Sequence, residues 1–588
     1  MVETFPPTVG RRGRTDNDLE MKRCPECQRS YDDETLKYCL DDGASLVYGP
    51  GSGDDATAIL TPAYVGGEAP TQHLSRQSLL NHDASKTTEH KSTFWNRRSG
   101  RAWFFVGLAI LALAGGYLAY RQLTTSTNKQ VDSIAVMPFI NETGNADLEY
   151  LSDGMTETLI SSLSQIPKLN VKARTSVFRY KGKDVEAKTV GKELNVQAVL
   201  NGSITQRGNE LVLHIELVNA STENALWSGD FKQPIVNLVS LQTDVARQVS
   251  QKLRAKLSNA EEQQVVKTYT ADPDAYQLYL KGRYHLNQQS EKNYQESIDY
   301  FQQAIDKDAN YALAYSGLAD AYIIATDWYL PNREAMPMAK AAAMKTLAID
   351  DTLAEGHLSM GTVRAFYDWD WSEAEKEYKR AIELNPNSAD AHDWYSFYMG
   401  VIRGQNSEAV AEAKLALQLD PLSLNANCAL TDALTDAHEY EAATRQARKT
   451  IEMEQNFWWP HLQLGGLYER QGQFPEAVVE IQRARQLDNN PLIIGKLGRA
   501  YARAGKRAEA QQSIDELKQL SKQRFVSSAF IAEIYAALGD HDKVFEWLEK
   551  GYNERAVGML FLKIDPIWYA FKTDRRYEDL MRRVNLPE

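Results

Sequence analysis

Cys24 and Cys27 form a Cys-x2-Cys knuckle, a spacing that lets two thiolates reach one cation, and Cys39 follows after eleven residues. Tetrahedral zinc takes four ligands. The fourth place, three residues past Cys39 and just before Gly43, is held by Asp42, and a carboxylate oxygen ligates zinc at about 2.0–2.2 Å. The spacing therefore predicts a Zn2+ site built from Cys24, Cys27, Cys39 and Asp42. The same residues also fit a redox-active cysteine pair, or a vestigial ribbon that only caps the terminus. Asp32, Asp33, Glu34, Asp41 and Asp42 make the segment acidic, which argues against phosphate binding and for a protein partner.

Other chemistry is absent from the motif inventory. No glycine-rich phosphate loop, His-Arg-Asp loop, Asp-Phe-Gly, Walker lysine, His-Glu-x-x-His or Gly-x-Ser-x-Gly occurs. The ten histidines are scattered, and Trp369 and Trp371 read as packing residues. No catalysis is expected. A formal net charge of -13 makes nucleic acid a poor partner. Cys428 stands alone in the C-terminal half, so that half has no internal disulfide to form and depends on packing.

Those motifs must be carried by a chain of several parts. From Asp272 onward large and small residues recur with a period of about 34, as in Leu464, Gly465, Tyr468, Ala477 and Ala484. This is the tetratricopeptide signature. Eight units predict about sixteen helices wound into one superhelix, each repeat burying its apolar face on the next. In that register the inward positions of each first helix carry Asp320, Asp393, Asp432, Asp436 and Glu469, followed by Arg470, Arg499 and Arg503. The expectation is a partner-binding groove, acidic in its middle and basic toward its C-terminal end. It would take an extended peptide of opposite charges, and reversing Arg499 and Arg503 would weaken binding without unfolding the array.

Residues 102–120, AWFFVGLAILALAGGYLAY, carry no charge and are closed by Arg101 and Arg121. Nineteen such residues at about 1.5 Å each reach across a bilayer, which predicts one transmembrane helix. Lys86, Lys91, Arg97, Arg98 and Arg101 precede it, against Arg121 and Lys129 after it. The positive-inside bias predicts a single-pass protein of a bacterial inner membrane, with a cytoplasmic N-terminus and periplasmic C-terminal domains. The full division is a disordered tail over 1–20, the ribbon-like motif over 21–47, a disordered linker over 48–100, the transmembrane helix over 102–120, an α/β domain over 131–256 and the repeat array with a C-terminal cap over 272–588. An internal start at Met21 would put the ribbon at the N-terminus.

Within 131–256, strands are expected at Ser133–Phe139, Leu169–Ala173, Ala198–Gln206, Glu210–Asn219 and Ala225–Phe231. Helices are expected over a stretch capped by Ser152, at Val185–Leu194 and at Asn237–Lys256. Asp153-Gly154 reads as a turn, and Arg174 and Arg179 as surface residues.

Three resemblances add to this reading. CPECQRSYDDETLKYCLDDGASL resembles the short zinc ribbons that open many bacterial membrane and signalling proteins, with Asp42 in place of the fourth cysteine. IAVMPFINETGN, YLSDGMTETLISSLSQIPKLNVKARTSVFRYKG and GKELNVQAVLNGSITQRGNELVLHIELVN resemble the FlgO-like domain, related to the N-terminal domain of TolB, a module without known catalytic residues. FLKIDPIWYAFKTDRRYEDLMRRVNLP and the repeats before it resemble the extracytoplasmic part of kinase-linked and CadC-like receptors, without their kinase or winged-helix head. Two functions follow. One is a membrane-anchored scaffold for protein–protein interaction in the cell envelope; the other is a truncated one-component receptor that signals through the ribbon. The sequence leaves the oligomeric state open.

Overall fold

The computed structural model describes residues 22–23, 30–31, 47–48, 131–166, 168–253, 257–288, 290–326 and 330–587. The chain divides into two units, Met1–Val106 and Gly107–Glu588. In the first, strands β1 (Lys22–Arg23), β2 (Ser30–Tyr31) and β3 (Val47–Tyr48) form an antiparallel sheet in the order β2-β1-β3. Cys24, Cys27, Cys39 and Asp42 lie outside the described residues, as do the tail, the linker and residues 102–120.

Among the described residues no helix is long and apolar enough to cross a membrane. This corrects the expected single-pass localisation, with its cytoplasmic N-terminus and periplasmic C-terminal domains. The described helices turn an apolar stripe to a protein core and a charged face to solvent, as α7 below does with Phe301 inward and Lys292 outward.

The second unit opens with the α/β domain. Its sheet runs β6-β4-β7-β8-β9, with β5 attached to β7. Strand β4 (Ser133–Val136) pairs in parallel with β6 (Asn170–Val171) and β7 (Ala198–Arg207); β8 (Glu210–Asn219) and β9 (Ala225–Pro234) continue β7 as an antiparallel meander. The first strand stops short of Phe139, because Pro138 has no N–H to pair and the ladder resumes only at β5 (Ile140–Asn141). Helix α1 spans Glu149–Ser164, so Ser152 is an interior residue, its hydroxyl donating to the Glu149 carbonyl at 3.0 Å. Asp153 and Gly154 lie inside α1 and are buried, which replaces the expected turn. Short α2 (Arg174–Phe178) and α3 (Ala187–Glu193) follow, then α4 (Leu238–Leu253) and α5 (Asn259–Val265).

Sixteen helices then form eight antiparallel hairpins, α6 to α21, a tetratricopeptide-type solenoid. Repeat 1 is Pro273–Leu286 with Glu291–Lys307, and repeat 2 is Ala312–Ala325 with Asn332–Ile349. Repeats 3 and 4 are Ala354–Val363 with Trp371–Leu384 and Ala389–Phe397 with Asn406–Leu419. Repeats 5 and 6 are Leu424–Asp436 with Tyr440–Met453 and Trp459–Arg470 with Phe474–Leu487. Repeats 7 and 8 are Pro491–Arg503 with Arg507–Leu520 and Ser528–Leu538 with His541–Glu554, and α22 (Arg575–Val584) ends the cap. Small residues set the hairpin spacing. A Cβ at Gly282 or Gly317 would sit 2.6 Å from the Phe301 ring, so neither α6 nor α8 can take a side chain where it meets α7.

The first helices of repeats 3 and 4 each end in a π-helical segment, Arg364–Asp368 and Tyr398–Arg403. Both ends face the cap. The Arg555 guanidinium lies 3.9 Å over the Trp369 ring, the Trp371 indole N–H donates to the Asn585 carbonyl, and the Asn332 amide donates to the Arg555 carbonyl at 2.8 Å. The cap thereby packs against repeats 2 to 4, and the space bordered by the first helices is termed the channel.

Candidate functional site

All eight charged residues read as groove-forming stand on first helices: Asp320 on α8, Asp393 on α12, Asp432 and Asp436 on α14, Glu469 and Arg470 on α16, Arg499 and Arg503 on α18. Their surroundings differ greatly.

At the C-terminal end the arginines are spent on carboxylates of the fold itself. Arg499 is 7% exposed and pairs with Glu469 at 2.8 Å, Glu533 at 3.3 Å and Asp565 at 2.9 Å. Burial alone would favour a neutral Arg499, but Asp565, Glu469 and Glu533 hold its charge in place. Arg470 pairs with Asp436 at 3.4 Å. Only Arg503 is exposed, 4.0 Å from Glu469 and 4.9 Å over the Phe474 ring. The expected basic end is thus compensated, and Arg499 is part of the core. Charge reversal there would set a fourth carboxylate among three, so the array would not tolerate it.

In the middle of the channel fewer carboxylates have a cationic partner. Asp320 accepts from Arg283 at 3.4 Å and from the Ser359 hydroxyl at 2.9 Å, while neither Asp393 nor Asp432 has an ion pair among the described residues. Burial and the neighbouring Asp390, Asp432 and Asp420 push Asp393 up to about 8. Burial raises Asp432 to about 7 and Asp436 to about 6, each also repelled by another aspartate. Asp390 and Asp432 remain exposed to solvent and Asp393 is half-buried, so a ligand from solution can reach the acidic residues. Like charges held close without a cation are a standing invitation to one.

Several of these residues escaped the sequence reading. Glu355 and Asp390 sit in the first turns of α10 and α12, at an inward register position that the pattern does supply. Glu157, Asp420 and Asp565 lie outside the positions used, and Arg283 and Glu533 belong to repeats from which no groove residue was taken.

The α/β domain borders the channel. Glu157 of α1 receives Arg283 of α6 at 2.6 Å and Arg174 of α2 at 2.9 Å; these cations hold it below the usual carboxylate range although burial pulls the other way. Arg174 is therefore a structural ion, not a surface one. Asp420, at the end of repeat 4 and 4% exposed, accepts from the Thr175 and Ser176 hydroxyls. Burial drives it up to about 7, with Asp390 adding to the rise and Ser176 and Lys172 opposing it. Burial lowers Lys172 to about 8, and its ammonium donates to the Gln418 carbonyl at 2.7 Å. Arg179 donates to the Met453 carbonyl at 2.8 Å. The Asn387 amide reaches the carbonyls of Ser164 at 3.0 Å and Leu169 at 3.1 Å.

No group of His, Cys, Asp or Glu able to hold a metal forms among the described residues. Cys428 is buried and free, its thiol pushed well up by burial and by Asp432 and Asp393.

Residues 129–248 match a family described as HilA/YgeH-like transcriptional regulator, second domain, where the sequence reading named FlgO and TolB. The chain is 30% identical over 232 residues to "Putative adenylate cyclase 3" of Rhizobium meliloti (strain 1021), covering 39% of each protein. It is 23% identical over 297 residues to the transcriptional regulator HilA of Salmonella typhi, covering 49% of this chain and 51% of that one. The chain thus spans about half or less of the length of these curated relatives. Among solved structures it is similar to YrrB, titled a TPR protein with an unusual peptide-binding site, at 17% identity and TM-score 0.24 over 32% of this chain and 92% of that one. It is also similar to PilW, a type IV pilus biogenesis factor, at 14% identity and TM-score 0.31 over 39% and 98%.

Proposed function

We propose that this chain is a non-catalytic tetratricopeptide scaffold that binds a protein partner by drawing an extended lysine- and arginine-rich segment into its acidic channel. The observation that carries this reading is the set Asp390, Asp393 and Asp432, which repel one another and make no ion pair among the described residues. An extended segment suits a channel lined by successive helices, and its cations relieve the repulsion that now raises those carboxyls. Titrating the full chain with fluorescein-labelled dodecalysine tests it. Binding should weaken at least tenfold in the variant Asp390→Asn/Asp393→Asn/Asp432→Asn, and should fall with added salt as the Debye length shortens. Equal binding by the variant would refute the reading.

The N-terminal motif belongs to the same proposal as a second contact point, with Cys24, Cys27, Cys39 and Asp42 holding one Zn2+. The pairing of β1 with β2 supports it: Arg23 is opposite Ser30, and Cys24 and Cys27 fall between these two residues in sequence. Bound zinc would supply the cross-link that a segment too small for its own core needs. Metal analysis of the reduced protein tests this, and a stoichiometry near zero would refute it.

A second reading, a regulatory receptor, is favoured by the match of residues 129–248 to a domain of transcriptional regulators. It predicts a partner that is itself a regulator, and co-purification of a partner without regulatory activity would count against it.

A further inference from the structure

The two large apolar cores meet across repeats 2 and 3, where Met360 belongs to the first core and Val363, on the same helix, to the second. The first runs from Ile134 and Leu159 of the α/β domain through Tyr276 and Leu280 of α6 to Ala319 and Ala343 of repeat 2. The second starts at Ile323, Met336 and Ala339 of repeat 2 and continues to Trp568 and Phe571 of the cap. Repeat 2 also carries Pro337 inside its second helix, where the missing N–H interrupts the ladder.

The α/β domain touches the second body again, far from that junction, and there the contact is polar. Lys172, Thr175, Ser176 and Arg179 bond the loops that end repeats 4 and 5, and the Leu422 N–H donates to the Ser176 hydroxyl at 2.8 Å. The loop before repeat 4 adds Asn387, and Leu422 adds one apolar contact. Hydrogen bonds of this kind exchange for water at small net cost, whereas a continuous apolar core does not.

We infer that the contact of Lys172, Thr175, Ser176 and Arg179 with the ends of repeats 4 and 5 is a latch, by which the α/β domain closes one side of the acidic channel and limits entry of the partner segment. The apolar junction through repeats 2 and 3 is the side that stays closed. Glu157 of α1 pairs with Arg283 at 2.6 Å, and Arg283 also reaches Asp320 at 3.4 Å, so α1 borders the acidic residues. Because entry needs the open form, the apparent affinity is the intrinsic one scaled by the open fraction, and weakening the latch raises it. This inference rests on the proposed binding of a basic segment in the channel.

The test uses the full chain, dodecalysine as probe, and hydrogen exchange as an independent report of opening. Thr175→Val/Ser176→Ala removes the two hydroxyls from Asp420; Lys172→Met/Arg179→Ala cuts the latch at separate points. Each pair should speed amide exchange at Leu419 and Leu422, leave exchange within repeats 6 to 8 unchanged, and tighten dodecalysine binding at least fivefold. Faster exchange with unchanged affinity overturns the latch but leaves channel binding standing. Unchanged exchange in both variants overturns the latch as well. If no form binds dodecalysine, the channel reading fails and the latch falls with it.

Discussion

Arg499 of repeat 7 and Asp565 of the cap, 66 positions apart in sequence, form a two-toothed ion pair, with Nη2 donating to Oδ1 at 2.9 Å and Nη1 donating to Oδ2. Glu469 of repeat 6 and Glu533 of repeat 8 complete the shell, so one guanidinium joins three consecutive repeats to the cap. Asp565 is held well below the usual carboxylate range, since Arg499 outweighs the burial that would raise it.

Removing that guanidinium takes the main partner from Glu469 and Asp565, while Glu533 keeps Lys496 at 2.6 Å. Arg499→Met should cost about 3–5 kcal/mol of stability, the usual effect of breaking a buried pair from one side. Arg503→Glu, at an exposed position, should cost well under 1 kcal/mol. Urea unfolding followed by circular dichroism separates the two, and similar losses would remove Arg499 from its structural role.

The aspartates of the channel make stability depend on pH in the opposite sense to ordinary ion-paired carboxylates. Asp393 at about 8 and Asp420 at about 7 lie above the free value near 3.9, so the native chain keeps protons that the unfolded chain releases. Their contribution is full below about pH 4 and is lost as pH rises through 7 to 8. Asp393→Asn should therefore be more stable than the parent by about 1–2 kcal/mol at pH 8, the difference narrowing toward pH 4. Glu157 and Asp565, both held low, work the other way and weaken the fold in acid. Melting curves across pH 4 to 8 decide the matter.

Gly154 fixes how closely α1 approaches α6. A Cβ there would lie 2.8 Å from Leu280 Cδ2, too near for any side chain without a shift. Gly154→Val should cost about 1–3 kcal/mol by overpacking. The loss should show as faster exchange in α1 and α6 together, since the two helices share one core.

Cys428, fully buried with its thiol pushed well up, should resist alkylating reagents in the native protein and react only on unfolding. Mass spectrometry after brief iodoacetamide treatment reads this out.

The repeat architecture was legible because each hairpin carries its own signature, and the sixteen expected helices appear from α6 to α21. The meander of β7, β8 and β9 was legible for the same local reason, its turns being marked by Gly208 and by Ser221 to Asn224. What escaped was set by distance. Nothing near Arg499 in sequence announces Asp565, and nothing near Ser176 announces Asp420, so charges that read as ligands for a partner proved to be ligands for one another. The helix start at Glu149 escaped because Asn145 caps a preceding turn, and Ser152 resembles a cap only locally. Asp393 and Asp432 stand on the first helices of repeats 4 and 5, where the register of a regular repeat puts them.

The central claim is that a basic segment enters the channel, and its position when bound tests this most directly. A photo-crosslinking phenylalanine analogue in place of Asp432, inside the channel, is compared with the same group in place of Val479, 63% exposed on a second helix. Irradiation with labelled dodecalysine should give adducts from position 432 and none above background from position 479. Crosslinking from position 479 with none from 432 would place the ligand outside the channel and contradict the account.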